Sequence, residues 1–269
     1  MSRQLKERRE ATGLTADQVT EQARQAGASK WSASKITRLE RNEWLRPTVE
    51  DVELLLDIYR VTDLAQRAEY VQLAKEARQK GWWSAYADVL GRGLLTGLEP
   101  GASRIRTVEI AVLPGLLQTE SYARRIIEGG GVEDTAEVTR RVEARMLRQQ
   151  LLDPKGSPPV YWAIIDEAAI RKIPADIREE QIRYLIDVQR PALRVQILPD
   201  EAGLHAAVGG GFTLLDFPED SGLVYTENSV ASRIDEEPEA LEAWDLVYQY
   251  VSASAMSVEA TRTHLVSLL

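Results

Sequence analysis

The sequence predicts an α+β protein, in which an all-α N-terminal domain precedes a larger mixed domain whose β-sheet is covered by helices. Up to about residue 80, apolar residues recur three or four positions apart, which is the spacing of amphipathic helices. Beyond that point, short apolar runs bounded by Gly and Pro are interleaved with helical stretches, which is typical of strands and helices in one domain. We therefore predict one domain at residues 1–80 and a second at residues 81–269.

The first three helices of the N-terminal domain are indicated by their end signals. Arg3 to Thr12 has helix-forming composition and stops at Gly13, a residue suited to a C-terminal cap. Thr15 provides an N-cap oxygen for the second helix, which ends or turns at Gly27. Ser32 is the N-cap candidate of the third helix.

Two further helices complete the predicted N-terminal domain. Pro47 closes the third helical unit, and apolar residues between Val49 and Tyr59 recur at helical spacing, as a fourth helix covering the first three requires. A long polar helix from about Leu64 to Lys80 leads out of the domain. Trp82-Trp83 is interpreted as an apolar anchor at the start of the second domain.

The second domain is predicted to mix strands and helices. Alternation or short apolar runs predict strands at Val108 to Val112, Val160 to Ile165, Leu193 to Leu198, Phe212 to Phe217 and Leu223 to Thr226. Helical patterns occupy Ser121 to Glu128, Asp134 to about Leu152, Asp176 to Val188, Pro238 to Tyr250 and Val258 to Leu269. The triple glycines at 129–131 and 209–211 lack the following Lys and Ser or Thr of a phosphate-binding loop, so we interpret them as turns or a bulge.

The charge is distributed unevenly along the chain. The net charge is −9, but residues 1–46 contain ten basic and six acidic residues, a net charge of +4, which leaves −13 for the remainder. Such asymmetry indicates a head that tolerates a phosphate backbone and a body that repels it. We therefore expect double-stranded DNA as a partner of the head.

Composition also excludes several classes of site and location. The chain has no cysteine, which excludes disulfides, thiolate metal sites and cysteine nucleophiles. Its N-terminus is charged from Arg3 onward, and no stretch reaches the roughly 18 apolar residues that a membrane span needs. We expect a cytoplasmic protein that does not contact membranes and binds no metal or cofactor.

The third predicted helix has the amphipathic pattern of a helix that reads the major groove of DNA. Ile36 and Leu39 share one face, while Ser34, Lys35 and Arg38 are expected to point outward. The alternative is that Lys35 and Arg38 only solvate a surface helix.

The run from Trp31 to Glu40, Trp-Ser-Ala-Ser-Lys-Ile-Thr-Arg-Leu-Glu, followed by Pro47, resembles the XRE, or lambda-repressor-like, helix-turn-helix family. The resemblance implies that the following residues contact DNA: Ser32, Ala33, Ser34, Lys35, Thr37 and Arg38. It also implies a structural ion pair between Arg9 and Glu40. Trp31 and Trp44 either stack on nucleic acid or pack in the protein, and packing is favoured.

A second resemblance covers most of the remaining chain. The run from Leu113 to Ala123 is similar to the C-terminal domain of actinobacterial WhiJ-like, antitoxin-like regulators, and four shorter motifs follow in that domain's order: residues 165–169, 195–199, 210–212 and 224–227. The resemblance implies a developmental regulator, often paired with a small protein encoded nearby. Candidate ligand- or partner-binding residues are Gln118, Thr119, Tyr122, Tyr225 and Glu227. The first three have an alternative role in holding their loop in place.

Catalysis is not expected. His205 and His264 are the two histidines of the chain and lie far apart in sequence, which gives a metal site or a histidine-based triad little to work with. Carboxylates at strand ends, at positions 109, 166, 167 and 227, offer acid–base chemistry in principle. They are better interpreted as helix caps or binding groups; Asp166 in particular fits an N-cap.

Two functions remain open at this point. The first is a homodimeric transcriptional regulator that binds an inverted repeat, with its acidic body supplying dimerisation and signal input. The second is an antitoxin-like interaction module that holds a small partner protein, with DNA binding secondary.

Overall fold

A computed structural model describes residues 2–28, 31–40, 48–78, 86, 89, 94–218, 222–228 and 231–269. The chain divides into two compact units, Met1–Gly81 and Trp82–Leu269. Trp44, Pro47 and the predicted anchor Trp82-Trp83 lie outside the described residues. Within the described parts of the chain, no helix has the length and apolarity that crossing a bilayer demands.

The described part of the first unit contains helices α1 (Ser2–Ala11), α2 (Ala16–Gln25), α3 (Ala33–Glu40), α4 (Val49–Ile58) and α5 (Leu64–Arg78). Their ends follow the predicted signals. Thr15 forms a capping box with Gln18, in which the Gln18 amide donates to Thr15 Oγ1 (3.2 Å) and the Thr15 amide donates to Gln18 Oε1 (2.9 Å). Gly13 and Gly27 adopt positive φ angles of 70° and 97° after α1 and α2, which explains why glycine is suited to both turns.

One apolar core holds these helices together. Its buried members come from all five helices and their connections: Leu5, Val19, Ala23, Trp31, Ile36, Leu39, Val52, Leu55, Leu56, Ile58, Tyr59, Val61, Tyr70 and Ala74. The helical periodicity of the sequence therefore identified the inward faces of α3 and α4.

The second unit is built on a six-stranded sheet in the order β3-β2-β1-β4-β5-β6. The strands are β1 (Arg104–Glu109), β2 (Val160–Asp166), β3 (Leu193–Leu198), β4 (Phe212–Asp216), β5 (Leu223–Glu227) and β6 (Ser232–Asp235). β1 to β3 run parallel, whereas β4 to β6 pair antiparallel, beginning with β4 against β1. The α+β prediction is thus confirmed, and β1 is the strand at which the sheet changes from parallel to antiparallel.

Two strand predictions need correction. β1 begins four residues before the predicted Val108 and ends at Glu109, because the alternation at Ile110 and Val112 continues into the loop after the strand. β6 was not predicted, because it is four residues long and Ile234 is its one apolar residue. Short edge strands of this kind carry little pattern.

Helices cover both faces of this sheet. They are α6 (Leu94–Leu98), α7 (Glu120–Gly129), α8 (Thr135–Gln149), α9 (Glu167–Arg171), α10 (Ala175–Asp187), α11 (Pro238–Ser254) and α12 (Val258–Ser267). One face buries residues such as Ile105, Ile165 and Ile197 against helices that include α10 and α12. The other face packs Val108 and Phe212 against α11.

Candidate nucleic-acid interface and a polar cluster in the second unit

Helix α3 separates its core positions from the positions predicted to meet DNA. Ile36, Leu39 and Glu40 are buried on one side of the helix. Because an α-helix turns by about 100° per residue, positions 34 and 38 lie on the opposite side. The side chains of Ser34 and Arg38 lie outside the described parts of the structure, so their DNA contacts stay a prediction.

The N-terminal turn of α3 has the expected cap. Ser32 Oγ accepts a hydrogen bond from the Lys35 amide at 3.2 Å, and Thr37 Oγ1 donates to the Ala33 carbonyl at 3.0 Å. Ser32, Ala33 and Thr37 are each half-buried. Their helix carries the partial positive charge of its N-terminus, which favours a nearby phosphate.

Lys35 does not point freely outward as the sequence suggested. Its ammonium lies 2.8 Å from Asp51 Oδ1 and 4.5 Å from the centre of the Trp31 ring. Trp31 is 3% exposed and donates its indole N–H to the same Asp51 oxygen at 3.1 Å. Lys35 occupies the flank of α3 rather than the side opposite the core, and the aromatic ring and the carboxylate hold it there. The packing interpretation of Trp31 therefore applies.

The predicted ion pair between Arg9 and Glu40 is present. Arg9 Nε and Nη2 donate to the two Glu40 carboxylate oxygens at 2.7 and 3.0 Å, and Nη1 donates to the Leu14 carbonyl at 2.8 Å. The Tyr59 hydroxyl lies 3.4 Å from Glu40 Oε1. The hydrogen bond to Glu40 raises the pKa of Arg9. One buried pair thus joins α1, α3 and the end of α4.

Three of the residues predicted to bind a ligand hold their own loop. Gln118 donates to the Leu113 carbonyl (2.7 Å), and the Tyr122 hydroxyl accepts from the Leu113 amide (3.2 Å). Thr119 caps α7, and its amide donates to Gln181 Oε1 at 2.8 Å. All three are at least nine-tenths buried. These contacts favour the loop-holding alternative for Thr119. Gln118 and Tyr122 also hold the loop through Leu113, and in addition they belong to a polar cluster at the end of β1.

The same loop places polar groups beside the end of β1. Arg145 of α8 donates to Gln118 Oε1 at 2.7 Å. Burial, and then the positive charge of Arg148, lower the pKa of Arg145 to about 10. Burial, and then the negative charge of Glu227, raise the pKa of Glu109 to about 7. We call Glu109, Gln118, Tyr122, Arg145 and Glu227 the Glu109 cluster; Tyr225 borders it and donates to Glu227 Oε2 at 2.8 Å.

Arg148 is neutralised by a partner of its own. Its guanidinium donates to both oxygens of Glu99 at 2.8 and 2.7 Å, and Glu99 is 2% exposed. Glu99 raises the pKa of Arg148 against the opposing effect of burial. This bidentate pair ties α8 to the turn before β1 and leaves Arg145 as the neighbouring buried cation.

The carboxylates at the end of β2 engage the two histidines. Asp166 caps α9 by accepting from the Ala168 amide (2.8 Å), as predicted, and also lies 3.3 Å from His205 Nε2. Glu167 lies 3.0 Å from His264 Nε2 and accepts from the Asp200 amide. The histidines are thus distant in sequence but meet adjacent carboxylates. Within the described ranges, no group of three or more potential ligand residues could hold a metal ion.

Sequence reasoning missed Arg145 and undervalued Glu109. Arg141, Arg145 and Arg148 recur four and three positions apart, which places them on one face of α8. A basic stripe on a helix usually indicates a solvated surface, and Glu99, the acidic partner of Arg148, lies far away in sequence. The stripe was nevertheless the signal that could have identified a buried cationic face.

Comparison with known protein families divides the chain at similar places. Residues 1–70 match a family model described as a helix-turn-helix domain, and residues 93–267 match a model described as a domain of unknown function, DUF5753. The chain belongs to the DUF5753 family. No curated protein and no solved structure matches it.

The two matches fit the two units. The helix-turn-helix match lies within the helical unit and indicates that the protein is a helix-turn-helix DNA-binding regulator. The Glu109 cluster, the pair of Arg148 with Glu99 and the whole six-stranded sheet lie within the DUF5753 domain.

Proposed function

We propose that this protein is a sequence-specific transcriptional regulator of the XRE type that inserts α3 into the major groove of duplex DNA. The observation that carries the proposal is the one-sided burial of α3 inside a matched helix-turn-helix domain: Ile36, Leu39 and Glu40 face the core, and positions 34 and 38 lie opposite them. A helix that presents one side to the core and its N-terminal half to a groove is the geometry of this motif.

The distribution of charge supports an orientation on DNA. The first 46 residues carry +4, and residues 47–269, which include α4 and α5 as well as the DUF5753 domain, carry −13. DNA attracts the head through its phosphates and repels the body, which keeps the DUF5753 domain away from the duplex. We further propose that two copies bind an inverted repeat, with half-sites about one helical turn apart, because helix-turn-helix dimers match their own two-fold symmetry to that of the operator.

A regulatory role for the DUF5753 domain completes the proposal. The similarity of residues 113–123 to WhiJ-like regulators supports an input function, and no step of catalysis is proposed. Two of the carboxylates at the strand ends have structural partners: Asp166 caps α9 and contacts His205, and Glu167 contacts His264.

Fluorescence anisotropy with labelled DNA from the gene's own promoter tests the proposal. We expect Arg38→Ala to reduce the preference for operator over scrambled DNA by about 1–3 kcal/mol, the value of one good base contact. Lys35→Met should lower affinity for both DNAs to a similar extent. Asp51 and Trp31 hold the Lys35 ammonium on the flank of α3, away from the side proposed to read bases, so its charge acts on phosphates of any sequence. Affinity should fall as salt rises.

Arg60→Ala is a suitable control, because Arg60 is an exposed arginine in the loop after α4. If Arg38→Ala discriminates between the two DNAs as well as Arg60→Ala does, α3 is not the reading helix. Light scattering with and without operator measures the stoichiometry, and a single copy on each operator would contradict the dimer.

A specific surface favours a second candidate function, in which the DUF5753 domain holds a small partner protein. Leu246 and Tyr250, four residues apart on α11, are 50% and 61% exposed. Leu246 also lines a cleft of about 550 Å³, together with residues that include Glu242 and Asp245. Exposed apolar groups rimmed by charge are typical of interaction sites.

Co-expression with any small protein encoded next to this gene tests that candidate. We expect the two proteins to co-purify, and Leu246→Ser to weaken the complex at least about tenfold, since large apolar anchors dominate interface energies. Leu204→Ser is the matched control, because Leu204 is also a leucine and is 92% exposed on a loop outside α11. Equal losses in both variants, or no complex, would count against the candidate.

A further inference from the structure

Two oppositely charged side chains of the DUF5753 domain lack charged partners. Among the described residues, the side chain of Glu109 has no hydrogen bond or ion pair, and the guanidinium of Arg145 has no carboxylate within ion-pair distance. Both are mostly buried yet keep some contact with solvent. Mostly buried charges are normally paired or hydrogen-bonded, because burying a charge without a partner destabilises the folded protein.

Neighbouring groups hold Arg145 in place without neutralising it. Gln118 Oε1 accepts from Arg145 Nη1 at 2.7 Å, and Gln118 is itself fixed by its bond to the Leu113 carbonyl. The nearby carboxylate of Glu99 pairs with both donors of Arg148, so it does not neutralise Arg145. A guanidinium has five N–H donors, so Arg145 retains donors for an external acceptor.

The position of Glu109 is set by the end of β1. It is the last residue of β1, where the sheet changes from parallel to antiparallel pairing. A Cβ atom added to Gly211 would lie 3.2 Å from Glu109 Oε2, which places this carboxylate over the start of β4. Because β1 and β2 run parallel, the carboxyl end of β2 lies beside Glu109 at the same edge of the sheet.

Tyr122 and Glu227 are the members of the cluster that interact electrostatically with both charges. Tyr122 is influenced by both Glu109 and Arg145, and Glu227 likewise influences both of them. The Tyr122 oxygen accepts from the Leu113 amide, so its hydroxyl proton is available to a further acceptor. The cluster thus offers a cationic donor in Arg145, acidic acceptors in Glu109 and Glu227 and a hydroxyl donor in Tyr122.

We propose that the Glu109 cluster binds a small zwitterion of the amino-acid class, whose carboxylate pairs with Arg145 and whose ammonium group pairs with Glu109 and Glu227. This proposal rests on the regulatory role given above to the DUF5753 domain and names the class of its ligand. A simple anion would leave Glu109 unpaired beside Glu227, and a simple amine would leave Arg145 unpaired. A zwitterion satisfies both and adds no net charge to the cluster.

Thermal unfolding of the full-length protein with excess ligand tests the site directly. The probes are the twenty common L-amino acids, β-alanine and γ-aminobutyrate, with propionate and propylamine as carriers of one charge each. We expect at least one amino acid to raise the Tm of the DUF5753 domain, and neither single-charge probe to do so, because ligands that bind the folded state stabilise it. Calorimetry then gives the Kd.

Variants locate the binding site. Arg145→Lys and Glu109→Gln should each weaken binding by about 10- to 100-fold, the range expected for loss of a charge-assisted hydrogen bond. Arg183→Lys and Glu179→Gln are the matched controls, because these residues form an exposed pair on α10. Calorimetry of the wild-type protein in two buffers of different ionisation enthalpy should also show proton release near pH 7. The ligand's ammonium group lowers the pKa of Glu109, so the carboxyl loses its proton on binding.

The outcomes separate this inference from the proposed function. If no amino acid raises the Tm, or if the control variants weaken binding as much as the cluster variants, the zwitterion site is overturned while operator binding by α3 is untouched. If an amino acid binds at the cluster but the protein fails to bind its promoter DNA, the regulator proposal fails and the site stands. A change in operator affinity on adding the amino acid links the two.

Discussion

Glu40→Ala is expected to lower the free energy of unfolding of the helical unit by about 3–5 kcal/mol, the usual cost of leaving one member of a buried ion pair without its partner. Arg9 is 16% exposed in its side chain and would keep the Leu14 carbonyl as an acceptor and the exposed Glu10 carboxylate at 3.7 Å, but it would lose its two short charge-assisted bonds to Glu40. Small domains are stable by about 5–15 kcal/mol, so this one change removes a large share of the total.

Hydrogen exchange measured by mass spectrometry on the intact chain reports this loss in α1 and α3 separately from the DUF5753 domain. Asp57→Ala is the control, because its partner Arg67 meets it at the surface, where Asp57 is 64% exposed and such pairs contribute about 0–1 kcal/mol. The double variant Arg9→Met/Glu40→Leu should regain most of the stability, because no charge is left buried. Equal protection in Glu40→Ala and Asp57→Ala would show that the buried pair contributes no more than the surface pair.

The elements of the fold could be predicted where local signals bound them. Leu193–Leu198 is predicted with its observed ends because Pro191 and Pro199 flank a continuous apolar run. Thr15, Ser32 and Asp166 act as caps because a capping oxygen and the amides it accepts from lie within three residues in the chain. Local chemistry of this kind needs no knowledge of distant contacts.

The surroundings of charged side chains could not be predicted in the same way. Lys35 was expected to face outward, but Asp51, sixteen residues later, meets it on the flank of α3. Arg145 has the spacing of a solvated stripe, and only the packing of α8 beside the loop at Gln118 buries it. These contacts depend on how helices pack, which composition and periodicity do not specify. The ion pair of Arg9 and Glu40 was anticipated through family resemblance rather than through periodicity.

Stability of the DUF5753 domain should depend on the ionisation of Glu109. The unfolded chain ionises this carboxyl near pH 4.5, whereas in the folded protein burial and the charge of Glu227 raise its pKa to about 7. Arg148 opposes this shift, and Tyr122 and Tyr161 are the other titratable groups that sense the Glu109 charge. Below pH 4.5 the group is protonated in both states and has no effect. As pH rises from 4.5 to 7, only the unfolded chain ionises, so the folded state loses stability.

Glu109→Gln removes this dependence and should therefore stabilise the domain at alkaline pH. The raised pKa corresponds to about 3 kcal/mol at pH 8 and to less than about 1 kcal/mol at pH 5, since one pKa unit is worth about 1.4 kcal/mol. Urea unfolding followed by hydrogen-exchange labelling of the β1 and β2 peptides, without added amino acid, measures the difference. Glu239→Gln, at an exposed carboxyl on α11, should leave the pH profile of the wild type unchanged. A Glu109→Gln profile parallel to that of the wild type between pH 5 and pH 8 would mean that Glu109 is already paired in solution, and the cluster would then have no unpaired acid to offer a ligand.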